Sequence, residues 1–298
     1  MQARVTLIHA LAPLHAGTGQ GVGVIDLPIA REKATNLPYL PGSSLKGPLR
    51  SACPDHNRKE IFGPDKIDSQ ADDYASAVQF SDQRLLLLPV RSLAGTFAWV
   101  TSPLVLRRFA RDAQDAGLDD MPKDIPQPSQ TDTATYACVC SGSALVLERH
   151  AQIYLEDLDL QPEESAAAAE WARWIGERVF ATDPNWQTEL YKRFCVVPDD
   201  VLNFLLQTAT EVVARIRLQQ DAKTVANGGL WYEEALPAES VLAGLVLATP
   251  NGKKNAAEVF AVVSELLKQP LHLGGKTTVG RGLCRVCMVE GGNHDQNT

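Results

Sequence analysis

The spacing of apolar and polar positions changes several times along the chain, and the changes outline its elements. Residues 4–11 (RVTLIHAL) place Val5, Leu7 and Leu11 on one face of a strand and Thr6, Ile8 and Ala10 on the other. Both faces are largely apolar, which predicts a central strand. A glycine-rich loop follows. Ser43 to Ala52 then reads as a short helix, with Ser43 and Ser44 offering N-caps and Pro48 near its first turn. Residues 53–76 are polar and acidic, turn at Gly63-Pro64-Asp65, and read as a surface insertion. Val78 to Val90 and Thr96 to Thr101 read as strands. Ser102-Pro103 sets an N-cap before an N1 proline, opening an amphipathic helix with Leu106, Phe109, Ala110 and Ala113 at helical spacing.

Residues 117–135 have the composition of a linker or flexible loop. Ala144 to Leu155 alternates like a strand. Pro162 is expected to open a helix whose buried stripe is Trp171, Trp174, Ile175 and Val179, so both tryptophans are read as core. Tyr191 to Val197 reads as a strand, with a helix from Asp199 or Asp200 to Gln207 and a strand from Glu211 to Leu218. Asn227-Gly228 is a hairpin-type turn signal in a segment that reads as a β-rich arm. Ser240 to Ala248 is an apolar strand, Asn255 to Lys268 a helix, and Leu283 to Val289 the last strand. The remaining tail, about 291–298, reads as disordered. The sum is strand-helix-strand early and strand-helix-strand late. That predicts an α+β protein with an elaborated ferredoxin-like (RRM-like) fold.

Composition limits the function. The chain has 298 residues, 45% of them hydrophobic, and a formal charge of −8. That charge argues against a surface uniformly coated by nucleic acid. The cations are local, however. Arg91 to Arg111 holds four arginines and no acid, and Lys253 to Arg285 holds six basic residues against Glu258 and Glu265. Such patches permit an anionic partner. The N-terminus MQARVTLIHAL lacks the features of a signal peptide, and no run approaches a membrane span. The expectation is a cytoplasmic protein with reduced cysteines. Cys284 and Cys287 sit in an alternating strand and face opposite ways, so a metal chelate is not expected there.

Two stretches carry candidate chemistry. The first is LHAGTGQGVGVIDLPIARE, whose Gly17, Gly19, Gly21 and Gly23 precede a solitary carboxylate, Asp26, between Ile25 and Leu27. Together with the basic helix bearing Lys46 and Arg50, it suits a phosphate backbone and a cleavage reaction. The second is GGKTTVGRG, with Gly274, Gly275, Lys276, Thr277, Gly280, Arg281 and Gly282. It is not a nucleotide-binding P-loop: the required upstream glycine falls at Pro270, and the loop leads into a strand. Four glycines with two cations and two threonines can present N–H groups and charge to RNA phosphates.

GGKTTVGRG before a final strand resembles the C-terminal G-rich loop of the RAMP superfamily of CRISPR proteins. The first glycine loop, followed by PYLPGSSLKGPLR, and the segment LWYEEALP are similar to the backbone subunit of the type III-B (Cmr) effector complex. The three motifs occur in the same order. The resemblance implies a single hand-shaped domain. Its palm is expected mainly at 1–52, 77–116 and 239–290, with insertions at about 53–76 and 117–200 and a thumb at about 217–232. It implies copies self-associating into a filament along a guide CRISPR RNA, with other Cmr subunits, and thumbs displacing bases of the guide–target duplex. It further implies cleavage of complementary target RNA with a divalent metal, Mg²⁺ or Mn²⁺, held at Asp26. His15 and one of Glu233 and Glu234 match implicated positions. Gly17, Gly19, Ser43, Ser44, Lys46, Arg50 and the G-rich loop would contact RNA. Two other readings stay open: a scaffold without cleavage, and a metal-independent guide-processing nuclease with His15 as general base.

Overall fold

The computed structural model describes residues 1–19, 25–64, 75–147, 149–219, 225–249 and 254–289. Gly21, Gly23 and the expected disordered tail lie outside the described residues. Strand β1 (Gln2–Ala10) leads through the first loop to the short β2 (Tyr39–Leu40), then helices α1 (Gly42–Ala52) and α2 (Asp55–Phe62). Next come β3 (Val78–Phe80), β4 (Gln83–Arg91), β5 (Phe97–Thr101) and α3 (Pro103–Asp115). A long insertion contributes β6 (Tyr136–Val139), β7 (Ile153–Leu155), β8 (Leu158–Glu164), α4 (Ala166–Val179), α5 (Pro184–Arg193), β9 (Phe194–Val196) and α6 (Asp199–Thr208). Then follow the hairpin strands β10 (Glu211–Leu218) and β11 (Val225–Ala235), β12 (Val241–Ala248), α7 (Ala256–Leu266), β13 (Leu271–His272) and β14 (Leu283–Val289).

The order β14-β1-β12-β4, antiparallel throughout, is the 4-1-3-2 arrangement of a ferredoxin-like palm. β1 is its central strand, as its two apolar faces predict. Alternate side chains point to opposite faces. Arg4 lies over the Phe260 ring of α7, whereas Val5 faces Val105 and Phe109 of α3. Helices therefore cover both faces, and Thr6, buried, hydrogen-bonds the buried Gln83 at 2.7 Å. Beyond β4 the same sheet continues through β5 and then through the insertion strands β9, β6, β8 and β7. The palm surface that an RRM-like sheet leaves open is occupied here by α3 and α4.

Several expectations are corrected. Helix α1 starts at Gly42, and Ser43 and Ser44 make no capping bond. The Gly42 amide donates instead to Asp82 Oδ1 at 3.0 Å, so a carboxylate from the β3–β4 turn takes the cap's role. Pro48 lies inside the helix rather than near its start. The polar 53–76 segment contains α2, which buries Ile61 and Phe62. The strand expected at 78–90 divides at Ser81-Asp82. Residues 144–147 and 149–152 form turns around a bridge from Leu147 to Gln152, and within the expected strand only Ile153–Leu155 is one. Pro162 lies in β8, opposite Ala137 of β6; helix α4 begins after Ser165, whose side chain accepts from the Ala168 amide. Residues 191–193 end α5, capped by Asp183, before a strand of three residues. The stripe of Trp171, Trp174, Ile175 and Val179 is buried as predicted. The 117–135 segment has no named strand or helix, but Trp171 Nε1 donates to the Asp124 carbonyl and Arg178 pairs with Asp120, so it is anchored.

Candidate functional site

The first loop folds back on itself. Gly17 bridges Ile29, and the Ala30 amide donates to the Ala16 carbonyl at 2.7 Å. Its two limbs dock on β11 and the residue just after it: Leu27 bridges Glu233 in parallel, and Leu14 bridges Leu236. Glu32, at the loop's far end, accepts two hydrogen bonds from Arg108 of α3, at 2.6 and 2.7 Å. The Arg108 hydrogen bond holds the Glu32 carboxyl below its usual pKa, despite the opposing effect of burial.

His15 is buried, with Nδ1 2.6 Å from the Glu234 carbonyl. A carbonyl only accepts, so Nδ1 carries the proton in that bond. The main chain of His15 bridges Gly275 of the G-rich loop. The ring leaves no space for a side chain at Gly17, where a Cβ would lie 2.6 Å from Nε2. One glycine of the first motif is thus required by packing on His15.

Asp26 is exposed at the edge of this assembly. Its Oδ2 accepts from the Tyr232 amide at 2.8 Å, and no cation pairs with it among the described residues. The adjacent glutamates point apart, as neighbours on a strand must. Glu234 Oε1 accepts from Arg31 at 2.6 Å and Thr210 at 3.0 Å, and Oε2 from the Ile29 amide at 3.0 Å. It fastens the first loop to the hairpin. Glu233 Oε1 instead meets Trp231 Nε1 at 2.8 Å and Lys276 Nζ at 2.9 Å, while Oε2 meets Arg215 at 3.4 Å. Burial pushes the Glu233 pKa up, but the Trp231 and Lys276 hydrogen bonds and the charges of Lys276 and Arg215 prevail and hold it low.

In the G-rich loop, Gly274 follows β13 and Gly275 donates its amide to the His15 carbonyl at 2.9 Å. Thr277 opens a single 3₁₀ turn to Val279, with Lys276 and Gly280 left-handed on either side. Arg281 is buried and pairs with Glu211 of the hairpin at 2.8 Å. Gly282 has φ 76°, and a Cβ there would fall 2.0 Å from the Leu273 carbonyl oxygen, so only glycine fits. Both loop cations are therefore bound to carboxylates before any ligand arrives. Gly19 is exposed at the tip of the first limb.

The structure brings His15, Asp26, Glu233, Lys276 and Arg281 into one junction of first loop, hairpin and G-rich loop. Helix α1 is a separate element. There Arg50 donates to the Gly63 carbonyl, and Lys46 has neither a hydrogen bond nor an ion pair among the described residues. Burial, then the nearby Arg50 charge, lowers the Lys46 pKa. An unpaired, half-buried ammonium suits an anion from outside.

Sequence reading missed Trp231, Arg215 and the Tyr232 amide. Alternation supplies a signal for the first: Trp231 and Glu233 share a face of β11, and Arg215 stands opposite Trp231. The hairpin strands, Glu211–Leu218 and Val225–Ala235, reach beyond the 217–232 expected at both ends. Asn227 and Gly228 lie within β11, where the register shifts, rather than at its turn.

A sequence profile of the RAMP superfamily matches residues 7–285. The chain belongs to the RAMP superfamily. Among its relatives in that superfamily, the Cmr endoribonuclease Cmr4 of the CRISPR system of Pyrococcus furiosus is 36% identical, over 99% of each chain. The CMR subunit Cmr4 of Saccharolobus solfataricus is 27% identical over 93% of each. A crystal structure of oligomeric Cmr4 from Pyrococcus furiosus superposes with a TM-score of 0.73, covering 98% of this chain and 100% of that one, at 29% identity in the superposition. The mixed sheet and its ferredoxin-like palm are thus those of a RAMP protein.

Proposed function

We propose that the chain is a guide-RNA-binding backbone subunit of a type III-B CRISPR complex and cuts the target RNA paired to that guide. The observation that carries this reading is Asp26: an exposed carboxylate without a counter-cation among the described residues, fixed by a main-chain amide where three RAMP motifs meet. The name of the 36%-identical relative, an endoribonuclease of the Cmr system, supports it. The oligomeric form of the superposing Cmr4 supports self-association along the guide.

The hairpin adds an apolar wedge. Val212, Ile216, Leu230 and Tyr232 are 47%, 54%, 54% and 38% exposed. The β10–β11 pairing puts them on one face, with Ile216 directly opposite Leu230. Such a face separates stacked bases and frees a ribose whose 2′-OH attacks the adjacent phosphorus in line. The products are then a 2′,3′-cyclic phosphate and a 5′-OH. Lys46 meets the guide backbone, where phosphate contacts fix position without reading sequence.

The donor set near Asp26 fits a divalent metal brought in with RNA better than a resident one. The described residues hold no cluster of three His, Cys, Asp or Glu side chains. The Glu233 and Glu234 oxygens are already engaged, which leaves Asp26 Oδ1. Mg²⁺ commonly takes one or two protein carboxylates, completing its shell with waters and phosphate oxygens. When bound, it would stabilise negative charge developing on the phosphate.

Among the described residues no helix is long and apolar enough to cross a membrane. Our reading places the protein in the cytoplasm, with which six free thiols agree. The test is to isolate the protein with its operon neighbours and sequence the bound RNA. A short guide with a common 5′ tag, and cleavage of a complementary target that stops in EDTA, are expected. Cleavage that persists in EDTA would return the reaction to His15. Absence of bound guide would end the reading.

A further inference from the structure

The basic stretch from Lys253 to Arg285 looks different once its partners are known. Lys253 lies outside the described residues. Lys254, Lys268, Lys276 and Arg281 meet Glu60, Glu265, Glu233 and Glu211. Arg285 is exposed and has no hydrogen bond or ion pair among the described residues. It stands opposite His9 across the β1–β14 ladder, so both side chains rise from the palm face that α4 covers.

Between that face and the α4–α5 connection is an open cleft of about 470 Å³, within the range of small-ligand sites. His9, Glu239 and Arg285 line it from the sheet side, and Phe180 and Trp186 from the connection. Its acids are engaged: Glu239 with His9 Nε2 at 2.7 Å, and Asp183 with the Asn185 and Trp186 amides of α5. Arg178 and Lys268 are engaged with Asp120 and Glu265. Among the described residues the unmatched charge of the cleft is Arg285.

The cleft is also preformed. Trp186, 39% exposed, stacks on Phe180 with centroids 5.6 Å apart and meets Trp99 edge-on. Glu239 has φ 71°, which is disfavoured for a residue bearing a Cβ. Three bonds hold it there: its amide donates to the Ala10 carbonyl, its carbonyl accepts from Trp99 Nε1, and its carboxylate accepts from His9 Nε2. A guanidinium unpaired among the described residues and a fixed, partly exposed indole line the same cleft, which matches one nucleotide, phosphate on the first and base on the second. The position agrees. Arg285 is four residues beyond Arg281 of the G-rich loop, at most about 14 Å of extended chain.

We propose that this cleft holds one unpaired nucleotide of an RNA strand that leaves the G-rich loop, with its phosphate on Arg285 and its base stacked on Trp186. The proposal rests on the RNA-binding reading above. It is tested by fluorescence anisotropy of the purified full chain with 5′-labelled oligouridine and oligoadenosine over a salt series. Arg285→Ala should weaken binding of both and reduce the log–log salt slope by about 0.7, the single-strand value per phosphate contact. Arg285→Lys should keep the slope. Trp186→Ala should weaken binding about fivefold or more, as loss of one stacked base does. Trp186→Phe should retain most of the affinity, and it serves if the alanine variant does not fold. RNA carrying 4-thiouridine should cross-link to the peptide containing Trp186.

Unchanged affinity and slope in Arg285→Ala, without a cross-link there, would overturn the proposal even if Lys46→Ala weakens binding and the RNA reading stands. Intact RNA binding with loss of partner subunits would make the cleft a protein contact and overturn it equally. Failure of the unaltered chain and its complex to bind any RNA would sink both readings.

Discussion

The Asp26 carboxylate accepts the main-chain amide of Tyr232 at 2.8 Å, tying the first loop to the hairpin through a group still open on its other oxygen. Asp26→Asn keeps an acceptor for that amide and removes the charge. It should lower target cleavage by at least about a hundredfold, the scale of losing one electrostatic contribution to a transition state. Guide binding and assembly should be unchanged by gel filtration. Asp26→Ala also removes the tether, so faster hydrogen exchange at the Tyr232 amide is expected in that variant alone. Full cleavage by the Asn variant in an intact complex would promote the scaffold reading.

Glu233 and Glu234 should differ sharply. Removing Glu234 strands the half-buried Arg31 and frees the Ile29 amide. Glu234→Ala should therefore destabilise by about 3–5 kcal/mol, as breaking a buried pair does. Glu233→Gln leaves the first loop fastened but releases Lys276 and Arg215. It should bind RNA at least as tightly as the unaltered chain, with a steeper salt dependence. Weaker RNA binding by Glu233→Gln would show that the Lys276 pair is needed for binding.

The same pair sets an acid response. The folded Glu233 carboxyl lies below its ordinary value of 4.5, as does Glu32. A depressed carboxylate contributes stability that is complete above its unfolded pKa and is lost as pH falls through the folded one. Thermal melts should thus be insensitive to these groups at pH 6–7, and decline from about pH 4.5 downward. Glu233→Gln should flatten that decline. An equally steep decline in the variant would mean that other carboxylates dominate.

Much of this was legible beforehand, for identifiable reasons. β1 reads as apolar on both faces, β10 and β14 alternate with period two, and α7 begins with an Asn255–Glu258 capping box. Local chemistry decided those elements. It misled where tertiary partners decided: Asp82 caps α1 from another element, and β6 pairing keeps Pro162 in a strand. At the site, motif order placed Asp26, His15 and the G-rich loop. Neutralisation of Lys276 and Arg281 was not legible, because Glu233 and Glu211 are separated from them by 43 and 70 residues in sequence.

Lys46 presents the opposite case to those neutralised cations. It is half-buried beside Arg50 with no described carboxylate, so folding gains little from its charge. Lys46→Ala should leave the melting temperature within about 2 °C, as for a change worth less than 0.5 kcal/mol. It should weaken RNA binding uniformly across sequences and reduce the salt slope by about 0.7–0.9. A large stability loss with unaltered RNA affinity would reassign it to the fold.

Gly17 and His15 offer a test of the glycine motif itself. The imidazole is held by the 2.6 Å bond to the Glu234 carbonyl, and a Cβ at Gly275 would lie 3.2 Å from its Cδ2, so the ring is closed in on that side as well. It therefore has little room to retreat from a methyl group at Gly17, whose Cβ would sit 2.6 Å from Nε2. Gly17→Ala should cost about 1–3 kcal/mol, the usual range for overpacking. His15→Ala removes the obstruction at its own cost, so Gly17→Ala should be nearly neutral in that background. Denaturant melts of the four chains in the cycle give the coupling directly, and a value above about 0.5 kcal/mol identifies contact. Additive effects would mean that Gly17 serves the RNA rather than the histidine, and Gly17→Ala should then weaken RNA binding at unchanged stability.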